Sequence, residues 1–395
     1  MKEPLRILYH HRIRSDDGQA VHVRELVHAL REIGCEVREC ALVPKSTSPA
    51  TPAGRGRRGF WARLRLPRLL VELLEVLYSH RARRVLAREI RAFRPHLVYE
   101  RHALHCHAGL DAAVAAGLPL FLEVNSPMVD EMSTLRLLRF ARLARATERR
   151  VLGGATRVLA VSDVLARMLV ELGAPRGRVE VVRNGAEPAR CGPQAVAEAG
   201  ALRTSLGLAP GAFVLGFVGY VRDWHRLDLV LDAMQLPGLA DLHLLVVGTG
   251  PALPALVAQA AARGLTARLH LAGEQPADRV PAHVLAMDAT LVPAINPYAS
   301  PLKLFDALAA GVPVVAPDQP NLRELLQHGT NGLLFREGDA TSLAEQVRSL
   351  VEDRELARRI GRAGLELLQR EDWTWKGNAR RVVRAYAALG ERTLR

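Results

Sequence analysis

The sequence predicts an α/β protein with two doubly wound, Rossmann-like domains. Apolar runs of strand length alternate with helical segments along the chain, and strands separated by helices pair in parallel. This alternation is interrupted after Asn184-Gly185, where residues 186–200 are rich in glycine and proline, so we interpret them as an interdomain linker. A second alternating series follows. At 395 residues, the chain has room for two domains with separate cores.

Each predicted element follows from its local pattern. Strands are predicted at residues 6–10, 36–42, 97–99, 120–124 and 157–161 in the first half, and at 213–220, 242–248, 268–272, 289–293 and 312–316 in the second. The first helix is predicted over residues 20–33 and ends at Gly34, because glycine accepts the left-handed conformation that closes helices. Residues 44–58 are predicted to form a loop. In folds of this class ligands bind at the carboxyl ends of strands, so we expect the site in a cleft between the domains.

The net charge of +13 is concentrated in one segment. Between Arg55 and Arg94 there are twelve arginines against three glutamates, together with Phe60, Trp61 and the leucine-rich residues 64–77. An arginine-rich amphipathic helix with aromatic residues suits an anionic membrane surface. An ordinary solvated surface helix fits the same pattern, and both interpretations stay open. No stacking motif or zinc module accompanies the charge, so we expect no nucleic-acid partner.

The remaining composition bounds the location of the protein. No apolar stretch approaches the roughly 20 residues that cross a bilayer. The first eight residues, from Met1 to Leu8, run directly into a predicted strand that a polar loop follows, unlike a signal peptide. Its four cysteines have no paired spacing, which favours a reducing compartment. We therefore expect a cytoplasmic protein, associated with the inner face of the cell membrane if the basic segment binds lipid.

The segment from residue 300 to 315 is the most informative part of the sequence. Ser300 suits the N-cap of a helix, Pro301 suits its first position, and Gly311 suits its end. The free N–H groups and positive dipole end of such a helix favour a phosphate, and Lys303 adds a charge there. Asp306 lies on the same face, where a carboxylate accepts hydrogen bonds from a ribose diol. These residues predict a nucleotide-sugar site.

Two loops at predicted strand ends suit the same ligand. The loop before the first helix contains Gly18, at a place where such folds hold a phosphate or an acceptor, although a plain connecting loop is the simpler interpretation. In the second half, Gly219 allows close backbone approach, and Arg222 and Arg226 are suited to a diphosphate. In so arginine-rich a chain, that loop is informative only in combination with Lys303.

Residues 100–107 and the end of the fourth strand supply candidates for the other side of the site. The cluster of His102, His105, Cys106 and His107 suggests a metal, but such close neighbours do not all reach one ion and no distal ligand pair stands out, so we expect no metal. One of these imidazoles lining the cleft is the better interpretation. Glu123 ends an apolar strand, either as a cleft carboxylate or as a cap of local backbone. The sequence contains no P-loop, no G-x-S-x-G elbow and no D-x-D pair.

Short segments in a fixed order carry a further signal. They are residues 98–101 (Val-Tyr-Glu-Arg), 122–127 (Leu-Glu-Val-Asn-Ser-Pro), 161–162, 184–185, 217–219 (Phe-Val-Gly), 300–303 (Ser-Pro-Leu-Lys), 309–315 and 331–334. With these, nearly the whole chain resembles family 4 of the retaining glycosyltransferases, in the subgroup with a Ser-Pro-Leu-Lys motif. The resemblance implies the GT-B fold, with domains at residues 1–188 and 200–374, and a last helix at about 375–395 that packs on the first domain.

The residues and the resemblance together predict a set of site residues. The catalytic set is Arg222 and Lys303, which neutralise the diphosphate leaving group, and Asp306, which binds the ribose. The donor-binding set is Gly18, Gly219, Gly273, Val280, Tyr298, Ser300, Pro301, Leu302 and Leu304. Within this set, Pro301 to Leu304 are expected to offer backbone N–H groups, and residues near Gly273 and Val280 to contact the base. The acceptor-side set is His102, Glu123 and Asn125.

Three positions depart from the family pattern. Tyr298 stands where the family commonly has the first of two glutamates, and Asp306 takes the place of the second. Asn125 replaces the histidine that usually follows the fourth strand.

The expected activity is retaining transfer of a sugar from a UDP- or GDP-linked donor to a glycan or lipid-linked acceptor, without a metal. The alternatives are a non-catalytic nucleotide-sugar-binding paralogue in a polysaccharide assembly complex and, less in keeping with the motifs, a nucleotide-sugar epimerase.

Overall fold

The computed structural model of the protein describes residues 3–13, 18–42 and 68–393. The chain divides into two compact units, one made of Met1–Val182 and Ala379–Arg395, the other of Arg183–Asn378. The loop predicted at residues 44–58, and the part of the basic segment from Arg55 to residue 67, lie outside the described residues.

The first unit is built on a six-stranded sheet. Its strands are β1 (Arg6–His10), β2 (Glu36–Cys40), β3 (Leu97–Arg101), β4 (Leu120–Val124), β5 (Arg157–Ala160) and β6 (Val179–Val181). Its helices are α1 (Gly18–Glu32), α2 (Arg68–Phe93), α3 (Ala108–Ala116), α4 (Met128–Thr134), α5 (Ala141–Gly154) and α6 (Asp163–Glu171). The strands pair in parallel in the order β2-β1-β3-β4-β5-β6. Strands β3, β4 and β5 are buried along their whole length, as expected when helices cover both faces of a parallel sheet.

The second unit repeats this plan. Its strands are β7 (Phe213–Val218), β8 (Leu242–Val247), β9 (Leu269–Gly273), β10 (Ala289–Leu291), β11 (Val314–Pro317) and β12 (Leu333–Phe335). Its helices are α7 (Pro193–Ser205), α8 (Asp228–Ala233), α9 (Leu253–Ala262), α10 (Val280–Leu285), α11 (Leu302–Ala310), α12 (Pro320–Arg323), α13 (Ala340–Glu352) and α14 (Arg354–Arg370). The strands pair in parallel in the order β12-β11-β10-β7-β8-β9. The last helix, α15 (Trp375–Thr393), begins in this unit and continues from Ala379 in the first.

These two sheets confirm the predicted α/β class with two doubly wound domains. The parallel order places the carboxyl ends of β7, β8 and β10 side by side at one edge, because neighbouring parallel strands end in the same direction. The same holds for β1, β3 and β4 in the first unit. Apart from Gly273 and Val280, which end and follow β9, the predicted site residues follow or end these strands.

The predicted linker is wrong in its second half. Residues 193–205 form α7, with Pro193 at a first helical position that needs no N–H. Leu202 and Leu206, at and just beyond the end of α7, pack against the core cluster around Val214 and Met287. The sequence of α7 shows no helical periodicity of apolar residues, because only Ala199 of this helix is buried.

The start of α11 also differs from the prediction. The helix begins at Leu302, and Pro301 precedes it in an extended conformation (φ −76°, ψ 125°), so Ser300 is not the N-cap. Its end is as predicted: Gly311 adopts φ +65° and, with Val312, donates to carbonyls of the last turn. The strands β6 and β12, three residues each at the edges of the two sheets, have no counterpart in the prediction.

Among the described residues, no helix has both the length and the apolar character needed to cross a bilayer.

Candidate functional site

The lysine of the second unit that the sequence singled out lies in an unusual environment. The Lys303 Nζ is 3.8 Å from the centroid of the Phe217 ring, and the side chain is half-buried. Burial lowers the pKa of Lys303 to about 7, and within the described part of the chain no carboxylate pairs with it. A cation that lies on an aromatic face without a counter-ion favours the binding of an anion from outside the protein.

The loop after β7 brings a second cation to this lysine. The Arg222 guanidinium lies 5.1 Å from the Tyr220 ring, and the side chain is exposed. The backbone N–H of Arg222 donates to the His225 Nδ1 at 3.1 Å, and this hydrogen bond fixes the turn. Burial, and then the charges of Lys303 and Arg222, lower the pKa of His225 to about 3. The His225 imidazole is therefore neutral, and the positive charge around it comes from Lys303 and Arg222.

Glycines at the ends of three strands let these loops approach each other closely. Gly219 has φ +139°, and a Cβ there would lie 3.3 Å from the Lys303 Nζ. Gly248, with φ +131°, packs so closely that a Cβ would overlap the Gly219 carbonyl oxygen. The Gly248 N–H donates to the Gly273 carbonyl oxygen at 2.7 Å. Residues with a side chain would be strained at these angles and would separate the loops.

The first turn of α11 faces the same strand edge with unpaired N–H groups. The resemblance implied that Pro301 to Leu304 all offer such groups, and this is corrected in two places. Pro301 has no N–H, and the Leu304 N–H donates to the Pro301 carbonyl oxygen at 3.1 Å. Leu302 and Lys303, the first two residues of the helix, keep N–H groups that have no acceptor within it.

The other donor-side residues occupy different places. Asp306 is half-buried on α11, close enough to Cys191 for its charge to contribute, after burial, to raising the pKa of that thiol to about 11. Tyr298 is buried, and its hydroxyl accepts from the Asn296 Nδ2 at 2.9 Å. The side chains of Val280 and Leu304 pack in core clusters, so these two residues have only backbone to offer a ligand.

In the first unit, the Glu123 carboxylate is the centre of a buried polar cluster. Its Oε2 accepts from the hydroxyls of Tyr99 at 2.9 Å and Tyr9 at 3.3 Å, and lies 3.1 Å from the His22 Nε2. Its Oε1 accepts from Arg101 Nη1 and from the Asn125 Nδ2. Burial alone would raise the pKa of Glu123, but the charges of His22 and Arg101 and these hydrogen bonds hold it well below its usual range. Of the two open interpretations, neither fits well: Glu123 is an ionised carboxylate whose oxygens are already occupied.

The remaining first-unit candidates surround this cluster. The His102 N–H donates to the Glu123 carbonyl oxygen at 2.8 Å, and burial lowers the pKa of the His102 imidazole to about 4. Its Nδ1 is buried and has no hydrogen-bond partner among the described residues. Asn125 is committed to Glu123, and Gly18 is the exposed first residue of α1. His102 is therefore the candidate with an unused buried polar atom.

One cluster of potential metal ligands occurs in the described part of the chain. Ligand atoms of His10, Glu100 and Cys106 lie within 4.8 Å of one another, and all three side chains are buried. They already bond to each other: the His10 Nδ1 is 2.6 Å from the Glu100 Oε1, and the Cys106 Sγ donates to that oxygen at 3.6 Å. The His10 Nε2 is paired with the Tyr78 hydroxyl at 3.1 Å. The group therefore links β1, β3 and α2 as a hydrogen-bond network.

The structure thus brings Gly219, Arg222 and Lys303 together, and adds residues that the sequence did not single out. Phe217 and His225 support the two cations, and Gly248 and Gly250 fit the β8 loop against the β7 loop. A sequence signal for the glycines exists, because Gly248-Thr249-Gly250 directly follows an apolar strand. Phe217 belongs to one of the short segments that carry the resemblance, but no sequence signal assigns a role to it or to His22, because these roles depend on distant partners.

Two family models match the chain, one on each side of the break. "Glycosyltransferase Family 4" matches residues 17–190, and "Glycosyl transferases group 1" matches residues 200–367.

Individual glycosyltransferases are similar to this chain in sequence, and a solved structure is similar to it in fold. A D-inositol 3-phosphate glycosyltransferase of Nocardia farcinica is 32% identical over 283 residues, which are 66% of this chain and 61% of that protein. A 2-deoxystreptamine glucosyltransferase of Streptomyces kanamyceticus is 30% identical over 272 residues, which are 67% of this chain and 69% of that protein. The crystal structure of Anabaena HepE in complex with UDP-glucose has a similar fold, with a TM-score of 0.70 and 19% identity over 97% of this chain and 100% of that one.

Proposed function

Because the chain belongs to the glycosyltransferases, with a family 4 domain followed by a group 1 domain, we propose that it transfers a sugar from a nucleoside diphosphate sugar. The donor is UDP- or GDP-linked, and the acceptor is a glycan or a lipid-linked glycan of surface polysaccharide or glycolipid biosynthesis. A solved structure of similar fold contains UDP-glucose, and two relatives are named as a glycosyltransferase and a glucosyltransferase, which supports a sugar-nucleotide donor.

The observation that carries the proposal is the pair of cations at the carboxyl edge of the second sheet. Lys303 and Arg222 have no carboxylate partner among the described residues, and the free N–H groups of Leu302 and Lys303 begin a helix beside them. A diphosphate leaving group carries negative charge that grows as the sugar departs. Fixed donors and cations that stabilise this charge lower the barrier to transfer. Asp306, three residues after Lys303 on α11, is proposed to bind the ribose.

We propose that the reaction retains the configuration of the sugar. The bond from the anomeric carbon to the phosphate oxygen breaks, and its electron pair leaves with the diphosphate. The acceptor oxygen then bonds to the anomeric carbon on the same face, and its proton passes to the departing phosphate oxygen. This route requires the protein only to position the two substrates and to stabilise the departing diphosphate.

A thermal-shift screen with UDP, GDP and ADP tests the proposal. One of these nucleotides is expected to raise the melting temperature at millimolar concentration, because a ligand that binds only the folded state stabilises it. The sugar nucleotides that contain the same base as the stabilising nucleotide are then tested as donors for transfer. An unchanged melting temperature with all three nucleotides would contradict a nucleotide-sugar enzyme. Slow hydrolysis of the selected donor would exclude the non-catalytic paralogue, and its complete absence together with nucleotide binding would favour that alternative.

We further propose that α2 docks the first unit on an anionic membrane. Leu70, Leu74 and Leu77 are 43%, 56% and 54% exposed and lie on one side of the helix, and Arg81 and Arg84 continue this side and are also exposed. An exposed leucine stripe that continues into arginines fits a lipid interface, where acyl chains meet charged headgroups.

Liposome co-sedimentation tests the docking surface. The protein is expected to sediment with phosphatidylglycerol vesicles but not with phosphatidylcholine vesicles, and less so at 500 mM than at 50 mM salt, because salt screens the arginines. The double change Leu74→Ser with Leu77→Ser should abolish sedimentation. The control is Leu135→Ser, which removes a leucine that is 64% exposed and lies outside α2, at the end of α4. Binding that ignores lipid charge and salt would refute the proposal.

A further inference from the structure

Three buried polar atoms near the start of α11 have no hydrogen-bond partner in the described part of the chain. They are the Ser300 Oγ, the Gln319 Oε1 and the Asn321 Oδ1. The three residues are only 9%, 4% and 1% exposed. Buried polar atoms are nearly always paired, because an unpaired one keeps the penalty of leaving water without a compensating bond. Three such atoms in one region therefore call for a ligand.

The fold brings these residues to one edge of the second sheet. Ser300 follows β10, and Gln319 and Asn321 follow β11, its parallel neighbour. The Asn321 Nδ2 donates to the carbonyl oxygen of Ala299, the residue before Ser300, at 2.7 Å. Gln319 precedes α12, which contains Asn321, and its carbonyl oxygen accepts the Arg323 N–H at 2.9 Å. Ser300 and Asn321 thus lie beside the N-terminus of the helix that contains Lys303, and Gln319 is two residues from Asn321 at the start of α12.

The available atoms are mainly acceptors. Because the Asn321 Nδ2 donates to two carbonyl oxygens, those of Ala299 and of Asn296 at 3.2 Å, its Oδ1 is the side of the amide left over. The Gln319 oxygen is likewise an acceptor, and the Ser300 hydroxyl both donates and accepts. The Ser300 backbone is fixed, since its carbonyl oxygen accepts from the Asn184 Nδ2 at 2.5 Å.

This chemistry selects the ligand group. Acceptor oxygens repel phosphate and carboxylate oxygens but bind hydroxyl groups, which donate hydrogen bonds. The nearby cations, Lys303 and Arg222, are already suited to the diphosphate. Tyr298, in the same loop, has its hydroxyl engaged by Asn296.

We infer that Ser300, Gln319 and Asn321 form the subsite that binds the hydroxyl groups of the donor's sugar, and that this sugar is a neutral hexose rather than a uronic acid. The inference rests on the proposed function, because it assigns the sugar half of the donor to a place beside the proposed diphosphate site. The Gln319 and Asn321 oxygens accept from sugar hydroxyls, and the Ser300 hydroxyl completes the set.

Ser300→Ala and Gln319→Met test this assignment. Neither side chain forms a hydrogen bond in the described residues, so both variants are expected to fold with a melting temperature equal to or above that of the unchanged protein. Their affinity for UDP should be unchanged. Their affinity for UDP-glucose, and kcat/KM with it, should fall by about tenfold, the effect of one lost hydrogen bond. GDP and GDP-mannose replace this pair if the thermal screen selects guanine.

A matched control and a second substrate sharpen the result. Gln346→Met removes a half-buried glutamine on α13 and should change neither affinity. Donors that lack one sugar hydroxyl should bind the unchanged protein more weakly than the intact donor, and Gln319→Met should lose that discrimination for one of them.

The outcomes separate the two proposals. If the unchanged protein binds no nucleoside diphosphate, the proposed function fails and this inference falls with it. If it binds UDP and UDP-glucose but the variants keep the ratio of the two affinities, the sugar subsite is refuted while the function stands. A lower melting temperature in the variants with an unchanged ratio would likewise refute it, because the atoms would then hold a structural water.

Discussion

Lys303→Met is expected to lower kcat/KM for sugar transfer by about two to three orders of magnitude without lowering the melting temperature. The loss follows from the position of the Nζ beside the proposed diphosphate, because removing one group that stabilises developing charge has about this effect in other enzymes. Stability should persist because the ammonium has no carboxylate partner in the described residues and is partly desolvated against Phe217. Removing such a charge breaks no ion pair.

The control is Lys376→Met, at an exposed lysine of α15 in the same unit. It should leave transfer unchanged. Transfer by Lys303→Met at the rate of the unchanged protein would contradict the assignment of Lys303 to the leaving group.

The same lysine predicts how nucleotide binding depends on pH. Burial lowers its pKa to about 7 in the free protein, so the ammonium loses its proton as the pH rises above 7. A bound diphosphate favours the protonated form and raises this pKa, so nucleotide affinity should fall between pH 7 and pH 9. Calorimetric titrations should show proton uptake on binding in this range. Lys303→Met should bind more weakly, with an affinity that no longer varies with pH.

Glu123→Gln is expected to reduce the free energy of unfolding by about 3–5 kcal/mol, the usual effect of removing one member of a buried charge pair. Glu123 is 3% exposed and is ionised, and it pairs with Arg101 and lies beside His22. A neutral amide leaves the Arg101 charge without a partner and directs an N–H group toward other donors. Urea denaturation followed by circular dichroism measures the loss.

Two comparisons make this result specific. Glu171→Gln, at an exposed glutamate that ends α6, should change stability little. Tyr99→Phe removes a single hydrogen bond to the carboxylate and should be destabilising by about 1 kcal/mol. Because the pKa of Glu123 is depressed in the folded state, its contribution is present above the unfolded pKa of about 4.3 and is lost as the pH falls. Wild-type stability in Glu123→Gln would show that the cluster does not depend on the charge.

Most strands were predictable because their signal is local. Strands β1 and β4 have the predicted bounds, and the end of α11 at Gly311 is as expected, since apolar runs and a left-handed glycine are visible within a few residues. The chain also shows its two-part character through the break near Asn184. The predicted start of α11 is one residue too early, because Ser300 and Pro301 both fit several positions near a helix end.

The fold class and the family were readable from the amino-acid pattern alone, since both depend on hydrophobic alternation and on short ordered motifs. The same pattern also pointed to Lys303 through the helix that begins beside it. Only the tertiary structure decided what surrounds these residues. Glu123 meets Tyr9 and Arg101 because parallel pairing aligns β1, β3 and β4, and it meets His22 of α1 and Lys303 meets Phe217 only through the tertiary fold. Such contacts join positions far apart in the chain, and hydrogen bonding and burial between them leave no mark in the local pattern.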